Sequence, residues 1–135
     1  MKATAITDIG KTRAVNQDYI YTSVDRVGCL PNLFIVADGM GGHRGGGYAS
    51  RLAVETILEQ IRQSQADSPA EILVDAIRHA NECIRQTAAE DEQLSGMGTT
   101  VVAATCADRQ LQVANVGDSR LYIADDVGIR QITED

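Results

Sequence analysis

Leu33-Phe34-Ile35-Val36-Ala37-Asp38-Gly39-Met40-Gly41-Gly42-His43 is the stretch on which the fold turns. Its five leading apolar residues predict a buried strand over 33–37. Asp38 then stands where that strand is expected to end, a rigid position for a carboxylate at the mouth of a cleft. Hard cations such as Mg²⁺ or Mn²⁺ take oxygen ligands in such a setting. Gly39, Gly41 and Gly42 remove side chains from the following turn, so the backbone can approach a ligand closely. His43 adds a group that exchanges protons near neutral pH. An Asp-Gly pair after a strand is also an ordinary turn signal, and both readings stay open on these residues alone. Two phosphate-binding loops are excluded. The third glycine of a G-x-G-x-x-G fingerprint would fall on Arg44, and no Gly-Lys-Ser/Thr follows to make a P-loop.

Around this stretch, 135 residues are enough for one domain with a core of its own. Aromatic residues make up 4% and tryptophan is missing, so that core must be aliphatic. The net charge of −7 argues against nucleic acid or an anionic membrane as the main partner. Cys29, Cys83 and Cys106 are odd in number and widely spaced, which fits a reducing, cytoplasmic location. No signal-peptide pattern or transmembrane run is expected.

Upstream, residues 2–8 alternate weakly and predict a first strand. Asp8-Ile9-Gly10-Lys11 reads as a turn, and Tyr19–Val24 is rich in strand formers. Downstream, 46–63 predicts a helix with Ala49, Leu52, Ala53, Ile57 and Ile61 on one face. Ser68-Pro69-Ala70-Glu71 is a strong start signal for a second helix running to about residue 90. Leu73, Ala76, Ile77, Ala80 and Ile84 form its apolar stripe, leaving His79 on the solvent side. An acidic loop over 90–98 precedes strands at 99–106 and 110–116, joined at Ala107-Asp108-Arg109. The strand at 110–116 is expected to bury Leu111 and Val113. A further pair, 120–124 and 128–132, closes the series. Strands, then two long helices, then strands indicate an α+β fold with a meandering antiparallel sheet.

Four polar clusters interrupt this framework: Arg13-x-x-Asn16-Gln17-Asp18, the Asp38–His43 turn, Gly96-Met97-Gly98-Thr99-Thr100, and Asn115-Val116-Gly117-Asp118-Ser119-Arg120. Arginine is the natural fork for a phosphate dianion. Paired carboxylates seat divalent metals, and a metal-bound water is a ready nucleophile.

In this order and spacing the clusters resemble the bacterial form of the metal-dependent PPM family of Ser/Thr protein phosphatases (protein phosphatase 2C-type). The resemblance spans the whole chain. It implies an antiparallel β-sandwich flanked by helices, with the active site at one edge. Two Mn²⁺ or Mg²⁺ ions there bridge an activated water that attacks the phosphoserine or phosphothreonine phosphorus. The match implies that Asp38 bridges both metals, that the Gly39 carbonyl binds one, and that Asp18 orients metal-bound waters. Gln17 stands where glutamate is frequent. Arg13 matches the phosphate-binding arginine, and His43 the histidine near the leaving group. Asp118 matches a carboxylate linked to a third metal.

Family catalytic domains are longer than this chain. The resemblance therefore places 1–135 as the N-terminal part of a single catalytic domain, incomplete at the C-terminus, with two further metal-binding aspartates expected beyond Asp135. Taken alone, the 135 residues are expected to be catalytically silent, metal-poor and prone to self-association through free strand edges. The partners implied are phosphorylated proteins, targets of a Ser/Thr kinase. Two other roles fit the same fold: a non-catalytic binding or scaffold module, and a phosphatase specialised for anti-anti-sigma-type regulators.

Overall fold

The computed structural model describes residues 1–11, 16–41 and 45–135. Its strands are β1 (Asp18–Ser23), β2 (Leu33–Met40), β3 (Gly98–Thr99), β4 (Val101–Ala107), β5 (Gln110–Val116), β6 (Tyr122–Ala124) and β7 (Ile129–Gln131). Two helices, α1 (Gly45–Gln63) and α2 (Pro69–Glu90), lie between β2 and β3, and a short 3₁₀ turn spans Glu92–Leu94. Strands β1-β2-β4-β5 form an antiparallel sheet in that order, with β3 pairing β2 as the fifth strand, and β6 and β7 make a separate ribbon. This is the α+β arrangement expected from the order of elements.

Both helices pack on one face of the sheet. Leu33, Ile35 and Ala37 of β2 and Val101 and Ala103 of β4 meet Ala53, Val54, Ile57 and Ile61 of α1 and Ile72, Leu73, Ala76 and Ala80 of α2 in one aliphatic core. Each large member contributes about 1.5–3 kcal/mol by leaving water. The cap of α2 forms as its sequence indicates: the Ser68 hydroxyl accepts from the Glu71 N–H at 3.1 Å, with Pro69 opening the helix. His79 is exposed on the solvent side.

Asn32 closes one end of the β2–β4 ladder with its side chain. Its Oδ1 accepts from the Cys106 N–H at 2.8 Å, and its Nδ2 donates to the Cys106 carbonyl at 2.9 Å. The buried Thr105 hydroxyl donates to the Asn32 carbonyl at 2.7 Å.

Several expectations change. Residues 2–8 form no strand: they are exposed, with Ile6 88% accessible, because no neighbouring strand receives their backbone. β2 alternates between buried and open positions rather than being buried throughout, and Val36 is 45% exposed. β2 also runs past Ala37 to Met40, because Gly39 and Met40 pair with Thr99 and Gly98. Asp38 therefore sits inside a strand, and Asp38-Gly39 is not a turn. The strand expected at 99–106 is interrupted at Thr100. The β4–β5 connection is the two residues Asp108 and Arg109, both at positive φ, since Ala107 already pairs with Gln110. Leu111 is 36% exposed and Val113 half-buried, because β5 borders the sheet and neither residue joins the helix-side core.

Candidate active site

Asp18 and Asp38 are directly opposed across the β1–β2 ladder. Opposed residues in an antiparallel pair share a face, with Cα atoms roughly 4.5–5.5 Å apart. Asp38 alternates with Ala37, which faces the helices, so both carboxylates stand on the face away from them. Like charges directly opposite each other destabilise a ladder. A hard divalent cation beside the pair reverses that cost, and carboxylate oxygens are the donors that such an ion prefers. The donor chemistry of Asp18 and Asp38 thus fits part of a Mg²⁺ or Mn²⁺ seat.

The backbone around the pair is tightly specified. The Gly39 N–H donates to the Gln17 carbonyl at 2.9 Å, and the Asp18 N–H donates to Asn16 Oδ1 at 3.0 Å. A Cβ on Gly39 would lie 1.8 Å from the Gly46 carbonyl oxygen, so the strand passes in backbone contact with the first turn of α1. That approach is open only to glycine. The Gln17 side chain fills the adjoining space, donating to the Gly41 carbonyl at 3.2 Å.

Asp118 is exposed in the turn after β5. It does not join Asp18 and Asp38 in one nest: among the described residues, no three His, Cys, Asp or Glu side chains are grouped to hold a metal. Its turn is nevertheless tied to the Asp38 strand, through Ser119 and Thr100. The Ser119 and Thr100 hydroxyls share a hydrogen bond, and the Thr100 hydroxyl accepts from the Asp38 N–H at 3.1 Å. On the other side of the turn, Arg120 forks the Asp135 carboxylate, its Nε lying 3.0 Å from Oδ1, with Nη2 on Oδ2. These hydrogen bonds hold the Asp135 carboxyl below its ordinary range and the Arg120 guanidinium above its own.

Arg13 and His43 lie outside the described residues. In the sequence, Thr100 and Ser119 stand only as members of the Gly96-Met97-Gly98-Thr99-Thr100 and Asn115-Val116-Gly117-Asp118-Ser119-Arg120 clusters, without roles of their own. Their adjacency could not be read from a separation of 19 positions.

The sequence profile of the family described as Protein phosphatase 2C matches residues 10–135. The chain is 40% identical over its full length to the serine/threonine phosphatase stp of Listeria innocua, covering 54% of that protein. It is 36% identical to the protein phosphatase PhpP of Streptococcus pneumoniae, again over its full length and covering 55% of that protein. It thus spans about half the length of the curated relatives it matches. Among solved structures, the serine/threonine phosphatase Stp1 from Staphylococcus aureus superposes with a TM-score of 0.84 at 31% identity, over 96% of this chain and 52% of that one. The catalytic domain of the phosphatase PstP, solved in complex with two manganese ions, superposes with a TM-score of 0.78 at 34% identity, over 93% of this chain and 52% of that one.

Proposed function

The chain belongs to the protein phosphatase 2C family, and from that membership we propose that the protein carrying it hydrolyses phosphoserine and phosphothreonine in proteins with divalent metal. The observation that carries the proposal is the opposition of Asp18 and Asp38 on adjacent strands, with Gly39 locked beside them. Residues 1–135 are read as the N-terminal part of one catalytic domain.

Asp38 and the Gly39 carbonyl would hold Mn²⁺ or Mg²⁺, with Asp18 orienting the waters around it and Asp118 serving a further ion. When bound, these ions supply Lewis acidity and a nucleophilic water. Arg13 grips the phosphate by charge-assisted hydrogen bonds and sets its orientation. His43 delivers a proton to the departing serine or threonine oxygen. The partners are phosphorylated proteins, targets of a Ser/Thr kinase, and the location is the cytoplasm. Among the described residues, no helix is long and apolar enough to cross a membrane. Strands β1 and β5 end the main sheet among the described residues, and their edges support self-association of the isolated 135-residue chain. The silence expected of it rests on the two further aspartates that the resemblance implies for the complete metal site.

The test is hydrolysis of a phosphothreonine peptide by the natural gene product carrying this chain. Activity should require Mn²⁺ or Mg²⁺ and stop with EDTA. Asp38→Asn should lose at least ~10²-fold in kcat, the scale of one electrostatic stabiliser. Full activity in EDTA, or in Asp38→Asn, would sink the metal mechanism. Phosphopeptide binding without turnover under every metal condition would favour the scaffold role.

A further inference from the structure

The interruption of the sheet at Thr100 has a specific chemical form. The β2–β3 and β2–β4 pairings share one register, and its continuation sets Thr100 opposite Asp38. In a regular antiparallel ladder these two residues would exchange backbone N–H···O=C bonds. Half of that exchange is present: the Thr100 N–H donates to the Asp38 carbonyl at 2.9 Å. The other half is replaced, because the Asp38 N–H donates to the Thr100 hydroxyl at 3.1 Å, while the Thr100 carbonyl accepts from the Thr99 hydroxyl at 2.8 Å.

A plain ladder needs only an acceptor for the Asp38 N–H, and the Thr100 carbonyl would serve. The hydroxyl accepts from the Asp38 N–H and at the same time shares a hydrogen bond with the Ser119 hydroxyl, so one side-chain oxygen bridges the strand and the turn. The side chain is 4% exposed, and its methyl lies under Gly117, where a Cβ would stand 2.8 Å from Thr100 Cγ2. Gly117 has φ +92°, a conformation that favours glycine, so the turn carrying Asp118 is seated directly on this one side chain.

We propose that Thr100 is a positioning residue for the metal centre, whose hydroxyl locks the Asp38 strand to the Asp118–Ser119 turn. The proposal rests on the metal role of Asp38 and Asp118. Groups behind the ligands commonly govern metal affinity about 10–100-fold. Without the hydroxyl link, the two carboxylate-bearing segments are free to drift apart while the strands remain paired.

The experiment is direct Mn²⁺ binding to the metal-stripped natural gene product, by titration calorimetry and by the paramagnetic resonance of free Mn²⁺. Thr100→Val keeps the shape and the methyl under Gly117 but loses the hydroxyl, and should bind Mn²⁺ about tenfold more weakly. Thr100→Ser keeps the hydroxyl but loses the methyl under Gly117, and should bind Mn²⁺ more tightly than Thr100→Val. Ser119→Ala breaks the same link from the turn side and should weaken binding in the same direction. Should Thr100→Val fail to fold by circular dichroism, Ser119→Ala decides alone. Wild-type Mn²⁺ affinity in Thr100→Val or Ser119→Ala overturns the proposal, as does a Thr100→Ser variant no better than Thr100→Val. Asp38→Asn is run beside them. Undiminished binding there removes the metal role itself, whereas weakened binding there with normal Ser119→Ala and Thr100→Val removes only the positioning role.

Discussion

Gly39 and Gly46 are in backbone contact: the Cα hydrogen of Gly39 points at the Gly46 carbonyl, where a methyl group would lie 1.8 Å from the oxygen. The neighbour is main chain on both sides and cannot rotate away. Gly39→Ala should therefore cost at least about 3 kcal/mol, the upper part of the range for overpacking. Gly47, one residue further along α1, has open space where its Cβ would be. Gly47→Ala should stabilise by roughly 0.4–1 kcal/mol through the unfolded chain. Urea midpoints of the two variants should move in opposite directions; equal midpoints would mean that the close approach is not maintained in solution.

Asn32 makes the next prediction. Its amide serves both the Cys106 N–H and the Cys106 carbonyl in a buried position. Asn32→Leu fills similar volume but strands the Cys106 N–H, at a cost of about 1–3 kcal/mol. Denaturant unfolding measures it. A loss below the scatter of surface substitutions would show that water replaces the amide there.

The ribbon of β6 and β7 should respond to pH. The Arg120 hydrogen bonds depress the Asp135 carboxyl in the folded state relative to the unfolded one, near 3.9. A depressed carboxyl contributes stability that is present above the unfolded value and lost as pH falls through the folded one. Both side chains are about half exposed, so salt should weaken the contribution. Amide exchange at Ile132, whose N–H donates to the Leu121 carbonyl at 2.8 Å, should accelerate relative to the core as the solution is acidified into that range. Asp135→Asn should abolish the extra acceleration; an identical pH profile in that variant counts against the linkage.

His43 can be separated from the metal by the choice of leaving group. His43→Ala should lower turnover of a phosphoserine peptide by about 10²-fold or more, the contribution of a positioned general acid. Turnover of p-nitrophenyl phosphate, whose leaving group departs without a proton, should be spared. Equal losses on the two substrates would remove the general-acid role.

Some of this protein was decided by local chemistry. The cap Ser68-Pro69-Ala70-Glu71 appears as its spacing requires, and most of the apolar stripes of α1 and α2 are buried, since hydrogen bonding and amphipathic periodicity act within a few residues. Packing sets the width of the buried face: Leu52 is only half-buried, while Val54, Leu58 and Ile72 join the core. The order of strands and helices, and the four polar clusters with their glycines, are likewise written along the chain. Other features depend on which strand lies beside which. Asp38-Gly39 carries a turn signature, yet β3 extends β2 through it, because pairing satisfies backbone groups that a turn would leave to water. The opposition of Asp18 to Asp38 follows from register between strands joined by a loop, a quantity that composition does not encode. Thr100 is the clearest case: its hydroxyl meets Asp38 at a separation of 62 positions and Ser119 at 19. Sequence supplied the hydroxyl and its glycine neighbours, but only the packed sheet brought them together, since a hydrogen bond forms over about 3 Å of space regardless of distance along the chain.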